Sequence, residues 1–230
     1  MEAEHSKGSG GGYSEDESGK QRKEIVEFTL CYRGPLKATT KSKSRIEEKH
    51  ALRRAFHEQL SRLWSQKPLS DHPEFLEPGK ESAIRMGNKE SDMGMFMTFE
   101  DITLLRNYGG IEFVPTVSAA LNMVADLTIT LLRPEPPGRI VTQGGDIDNR
   151  LKTLLDSLKV PKADEIPTSI TPSNEPSPLF CLLEDDNLIT NLDIKTDRLL
   201  DSAADSSEVL LLIHVRTRVL QGTWANLGLI

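Results

Sequence analysis

The residues with the most chemistry in this chain lie in GGDIDNRLKTLLDSLKVP, positions 144–161. Asp146 and Asp148 stand one residue apart at the mouth of a short helix, and Lys152 follows four residues after the second. A further carboxylate pair, Asp185 and Asp186, lies in LLEDDNLI between apolar runs. A hard cation such as Mg²⁺ takes one or two carboxylates, several waters and a phosphate oxygen. Held beside a phosphodiester, it activates water and stabilises the leaving oxygen. A neighbouring lysine neutralises charge that builds in the transition state. Gly144 and Gly145 leave the main chain bare just before the first aspartate, so a ligand can approach closely. The same residues also suit an ordinary surface helix. Aspartate at a helix N-terminus contributes about 0.5–1 kcal/mol through capping and the dipole. Asp148, Lys152 and Asp156, at i, i+4 and i+8, would line one side with pairs worth about 0.2–0.5 kcal/mol each.

DIDNRLKTLLDSL followed by EDDNLI resembles the RusA family of Holliday junction resolvases. The shared pattern is Asp-x-Asp-Asn with a lysine four residues after the second aspartate, a later helical aspartate and a downstream Asp-Asp pair. The resemblance covers about half the chain, mainly 24–65, 121–158 and 181–219. It implies an α/β (α+β) fold, a small mixed sheet packed with two main helices, and a divalent-metal-dependent endodeoxyribonuclease acting on branched DNA. Asp146 and Asp148 then stand at the first two metal-binding carboxylates and Asp186 at the third, with Asp185 beside it. Lys152 stands at the catalytic lysine, and Asn149 and Asp156 match with supporting roles. The implied cofactor is Mg²⁺, with Mn²⁺ as a substitute. The implied partners are four-way DNA junctions and a second copy of the chain. The chain departs from the compact family by an N-terminal tail and by insertions near 66–107 and 161–178. A basic run before the first aspartate is reduced to Arg139.

The elements that must position these residues show in the apolar spacing. Residues 1–23 are rich in Gly, Ser and charge, which predicts a disordered tail. EIVEFTLCYR alternates, with Val26, Phe28, Leu30 and Tyr32 on one side, and predicts a half-buried strand. Ser44 and Glu47 form a capping-box signal for a helix with the stripe Leu52, Phe56, Leu60 and Leu63. On that helix His50 and His57 are expected to face solvent, and Lys49, Arg53 and Arg54 to lie off the stripe. GIEFVPTVS predicts an edge strand, because Pro115 lacks an N–H. ALNMVADLTITLLRP turns Ala125, Leu127, Ile129 and Leu131 one way, and EVLLLIHVRTRVL turns Val209, Leu211, Ile213, Val215 and Val219 one way. In the motif helix the stripe is Leu151, Leu154, Leu155 and Leu158, with Pro161 beyond it. Residues 161–178 read as an exposed loop and 221–230 as a tail, so the expected domain runs from 24 to 220.

The chain has 230 residues and a net charge of -7, which argues against general nucleic-acid binding. The average hides a basic segment: residues 21–70 hold 12 Lys+Arg against 5 Asp+Glu. Candidate phosphate contacts are Lys37, Lys41, Lys43 and Arg45, with Arg139, Arg216 and Arg218. Aromatic residues make up only 5%, too few for a base-stacking surface. Cys31 and Cys181 are expected to be buried free thiols with no zinc site between them. With no signal-like start and no long apolar run, the expectation is a cytosolic protein without a membrane partner. Two other functions remain open at this level. One is a nuclease of the same fold acting on another structured DNA, and the other is a non-catalytic protein that binds DNA or a partner.

Overall fold

The structure, a computed structural model, describes residues 24–36, 42–77, 83–86, 95–98, 102–134, 147–201 and 208–229. The expected tail at 1–23, Lys37, Lys41, Arg139 and Asp146 fall outside the described residues, as does the side chain of Lys43. The described chain is of the α+β class, with nine strands, two α-helices and several short 3₁₀ turns.

A four-stranded mixed sheet forms the floor. Its strands are β1 (Glu24–Pro35), β6 (Met123–Arg133), β8 (Ile189–Arg198) and β9 (Glu208–Val219), in the order β1-β9-β6-β8. β9 is antiparallel to both neighbours, and β6 and β8 are parallel. Period-2 alternation does its expected work here. Leu30, Leu127, Ile129, Leu131, Leu211, Ile213 and Val215 are buried on one face. Glu27, Thr29, Thr128 and His214 lie on the other, in register.

A three-stranded sheet has the order β4-β5-β7, from β4 (Arg106–Tyr108), β5 (Ile111–Val117) and β7 (Leu179–Leu183). Gly109 and Gly110 join β4 to β5 with φ of 59° and 80°, a two-residue hairpin turn that side chains resist at both positions. β5 is therefore central rather than the expected edge. The proline rule still holds locally, because β4 pairs only with Ile111–Phe113 and has ended before Pro115. β2 (Ala83–Met86) and β3 (Met95–Thr98) form a separate hairpin in the Met-rich region.

α1 (Ser42–Trp64) begins two residues before the expected cap, and α2 (Ile147–Leu158) is the motif helix. α1 buries Leu52, Phe56, Leu60 and Trp64 against the sheets. The Trp64 indole donates to Thr116 Oγ1 at 3.1 Å and its ring stacks on Phe180 at 5.4 Å. α2 buries Leu154 and Leu158 as expected, and with them Arg150, Thr153 and Ser157.

β5 runs into β6 through a 3₁₀ turn at Ala119–Leu121, and β7 into β8 through another at Asp186–Leu188. β5 and β7 are parallel, as are β6 and β8, so two long segments travel together through a shared bend. α2 lies in the connection between them, the βαβ arrangement that parallel strands require. This places the motif helix and the acidic turn on neighbouring parts of one unit.

The segment 161–178 is largely exposed, as expected, but it is anchored at a few points. Pro161 and Pro167 are buried, and the Glu175 side chain is only 4% exposed against α1. Residues 221–229, expected as a tail, are anchored too: Asn226 and Leu229 are buried, and Asn226 Nδ2 donates to the Leu121 and Gln221 carbonyls.

Candidate metal centre and the charged face of the motif helix

On α2, Asp148, Lys152, Asp156 and the following Lys159 fall within one angular sector, as a 100° step per residue requires. The structure divides that sector in two. Asp148 and Lys152, on the first two turns, are exposed. Among the described residues no ion pair engages Lys152. Asp156 and Lys159, at the last turn, are mostly buried and internally paired.

Asp156 holds the Lys49 ammonium of α1 at 2.6 Å and Lys159 at 3.6 Å. Lys49 also reaches Glu165 at 3.5 Å. Lys159 in turn donates to Asp186 Oδ2 at 3.0 Å. Burial alone would lower the Lys159 pKa, but the Asp186 hydrogen bond and the charges of Asp186, Asp156 and Asp185 outweigh it and raise it. The same hydrogen bond from Lys159 holds the Asp186 carboxyl below its usual range.

Asp186 is thus tied to Lys159, just past the end of α2, eleven residues and about 16 Å along the helix axis beyond Asp148. Asp185 is partly buried and accepts from the Asn187 N–H at 3.1 Å, capping its own turn. Of the site predicted from sequence, the described residues bring Asp186 together with Asp156 and keep Asp148 with Lys152. Asp146 lies outside the described residues. Among the described residues no group of three His, Cys, Asp or Glu is arranged to hold a metal.

The basic face of α1 turns inward. Arg53, 1% exposed, donates from Nε to the Lys159 carbonyl and from Nη2 to the Asp156 carbonyl, both at 3.1 Å. These are end-of-helix carbonyls that α2 cannot satisfy itself, and a cation there also complements the dipole. Burial lowers the Arg53 pKa. His50 is 4% exposed rather than solvent-facing, with Nε2 3.1 Å from Glu175. His57 is partly buried, accepts from the Phe180 N–H at 3.0 Å and stacks on the Phe180 ring. Burial is the main cause that lowers the pKa of both histidines.

Sequence reasoning missed Lys49, Arg53, Lys159 and Glu184. A signal for two of them exists: Lys49 and Arg53 precede Phe56 and Leu60 at i, i+4, i+7 and i+11, a continuous inward face. Glu184 is fixed by Ser118 Oγ at 2.6 Å, the Ala119 N–H at 3.0 Å and Arg106 Nη2 at 2.8 Å. Its burial works against ionisation, yet the bonds from Ser118 and Arg106 prevail and lower its pKa. It pins the acidic turn to the shared bend.

The candidate phosphate contacts also separate. Arg218 is buried and gives Nη2 to Asp126 and Thr190, both at 2.8 Å, so it is not presented to a phosphate. Arg216 is half exposed, 3.6 Å from Glu27. Arg45 is partly buried near the start of α1. Cys181 is buried, as expected, and burial pushes its thiol up to about 12. Cys31 is exposed, against expectation, because it falls on the polar face of β1. No helix among the described residues is long and apolar enough to cross a membrane.

Compared with family models, with curated proteins and with solved structures, the chain finds no match.

Proposed function

We propose that this protein is a divalent-metal-dependent endodeoxyribonuclease of the RusA type, acting on branched DNA and as a homodimer. The observation that carries the reading is the division of the α2 face. Asp156 and Lys159 are turned inward and mostly buried, whereas Asp148 and Lys152 stand exposed one turn apart at the positive end of the helix dipole.

The donors fit a hard cation. They are carboxylates without a thiol or imidazole, and Mg²⁺ is content with one or two of them. Asp146 and Asp148 would hold the metal, with Mn²⁺ a substitute. When bound, it supplies a polarised phosphate oxygen and a more acidic water. Lys152, free to swing from the second turn, neutralises the charge that develops on the phosphate. Glycine at 144 and 145 carries no side chain that would hinder an approaching DNA backbone. Asp186, held by Lys159 at the far end of α2, stays in the acidic turn rather than beside Asp148.

The deciding experiment incubates the protein with a labelled four-way junction and Mg²⁺, beside Asp148→Asn. The reading expects paired cuts across the junction that the variant loses. Equal cutting of linear duplex would instead favour a nuclease for another DNA. Binding with no cutting in either protein would leave a non-catalytic DNA binder.

A further inference from the structure

The two edges of the four-stranded sheet are treated differently. At β1, the Gln59 side chain of α1 acts as a substitute strand. Cys31 N–H donates to Gln59 Oε1 at 2.9 Å and Gln59 Nε2 donates to the Cys31 carbonyl at 2.8 Å. At the opposite edge, β8 offers ten residues, Ile189–Arg198, and none of them is buried. Among the described residues no strand pairs with its outer side. Long bare edges invite pairing with another chain, so natural proteins cover them or use them.

From this geometry we infer that β8 is a docking edge for a second copy of this chain, forming an antiparallel β8–β8 ladder across a two-fold axis. The strand is self-complementary in one register. A two-fold through such a ladder keeps each residue on its own face, so opposed residue numbers sum to an even value. Two even registers overlap almost the whole strand. Centring on Asp193 opposes Asp193 to its own copy, a like-charge contact. Centring on Ile194 opposes Asp193 to the Lys195 of the second copy, and Lys195 to the second copy's Asp193. These make two ion pairs on the outer face. Asp193 and Lys195 already share that face, 3.4 Å apart within one chain. On the core face the same register sets Ile194 against Ile194 and Leu192 against Thr196. Leu192, 40% exposed, lies in line with buried Leu127, and Ile194 with buried Ile129. The ladder would continue the apolar face of one sheet into the next.

The test is the mass of the full chain in solution, so it does not depend on any nuclease activity. Light scattering coupled to size exclusion should give twice the 25.6 kDa chain mass at micromolar concentration. Asp193→Lys opposes two lysines, and Lys195→Asp opposes two aspartates, at symmetric pairs. Each single change should weaken the dimer by about tenfold or more, since opposite and like charges across a ladder differ by roughly 1 kcal/mol per pair. The double swap restores both ion pairs and should restore the dimer. Both positions are exposed, and circular dichroism checks that each variant is folded. A monomeric wild type overturns the inference. So does a dimer indifferent to the single changes, or a double swap that stays dissociated.

Discussion

Replacing Arg53 with methionine isolates the link between the two helices. Methionine keeps most of the apolar stem, so packing against α2 is largely retained. What disappears is a pair of charged hydrogen bonds to the Asp156 and Lys159 carbonyls. A hydrogen bond to a charged group contributes about 1.5–3 kcal/mol, and each buried acceptor left unsatisfied costs about 1–3 kcal/mol. Losing the cation at the α2 C-terminus adds up to ~2 kcal/mol. Against this, the variant no longer buries a guanidinium whose desolvation already lowers its pKa. These opposing effects leave a net destabilisation of about 3 kcal/mol, which for a domain of this size lowers Tm by about 6–12 °C. Thermal and urea unfolding measure it. Arg54→Met is the matched control, because that side chain is 53% exposed and only 3.6 Å from its acid partner. A Tm for Arg53→Met within a degree or two of Arg54→Met would refute the claim that α1 caps α2.

The remaining predictions use other features. Lys152→Ala should lower junction cleavage by about 10²–10³-fold while leaving unfolding unchanged, since the residue is exposed and, in the proposed reaction, acts on developing charge. A comparable loss of stability would show a structural role instead. His50 is held neutral by burial, so its folded pKa lies below the unfolded 6.5. The unfolded chain then binds the extra proton, and stability falls as pH drops below about 6.5. His50→Gln should flatten that part of the stability–pH curve, and an unchanged slope would count against it. In the native protein a thiol reagent should modify one cysteine quickly, the exposed Cys31. Cys181, with its thiol near 12, should react only on unfolding.

Alternation in β1, β6 and β9 was readable from the sequence because one face meets the core and the other meets solvent. The stripes of α1 and α2 were readable for the same reason. The fate of α1's charges was not. Lys49 and Arg53 continue the inward face, but whether a cation there is solvated or capped by a neighbour depends on where α2 ends in space. The histidines failed likewise: His50 became buried because Glu175, 125 positions later, folds back onto it. Pro115 shows a rule that applies locally. It marked β5 as an edge strand, and the strand is central only because β4 is three residues long. Of the candidate site, the exposed pair Asp148 and Lys152 followed from helical spacing alone. The engagement of Asp186 with Lys159 required a bend that no local pattern announces.

The position of β9 has a consequence for how the chain is made. It lies between β1 and β6, yet of the described strands it is the last to be synthesised, and its partner in β1 is some 185 residues away along the chain. Until β9 emerges, β1 and β6 each present an unpaired inner edge, and the apolar faces of both strands lack their central neighbour. Pairings this distant form slowly, and the waiting intermediate is the species most exposed to aggregation. A chain released before about residue 219 would lose the middle of its sheet rather than its rim. Its dependence on chaperones during synthesis should therefore exceed that of a protein whose last strand lies at the edge.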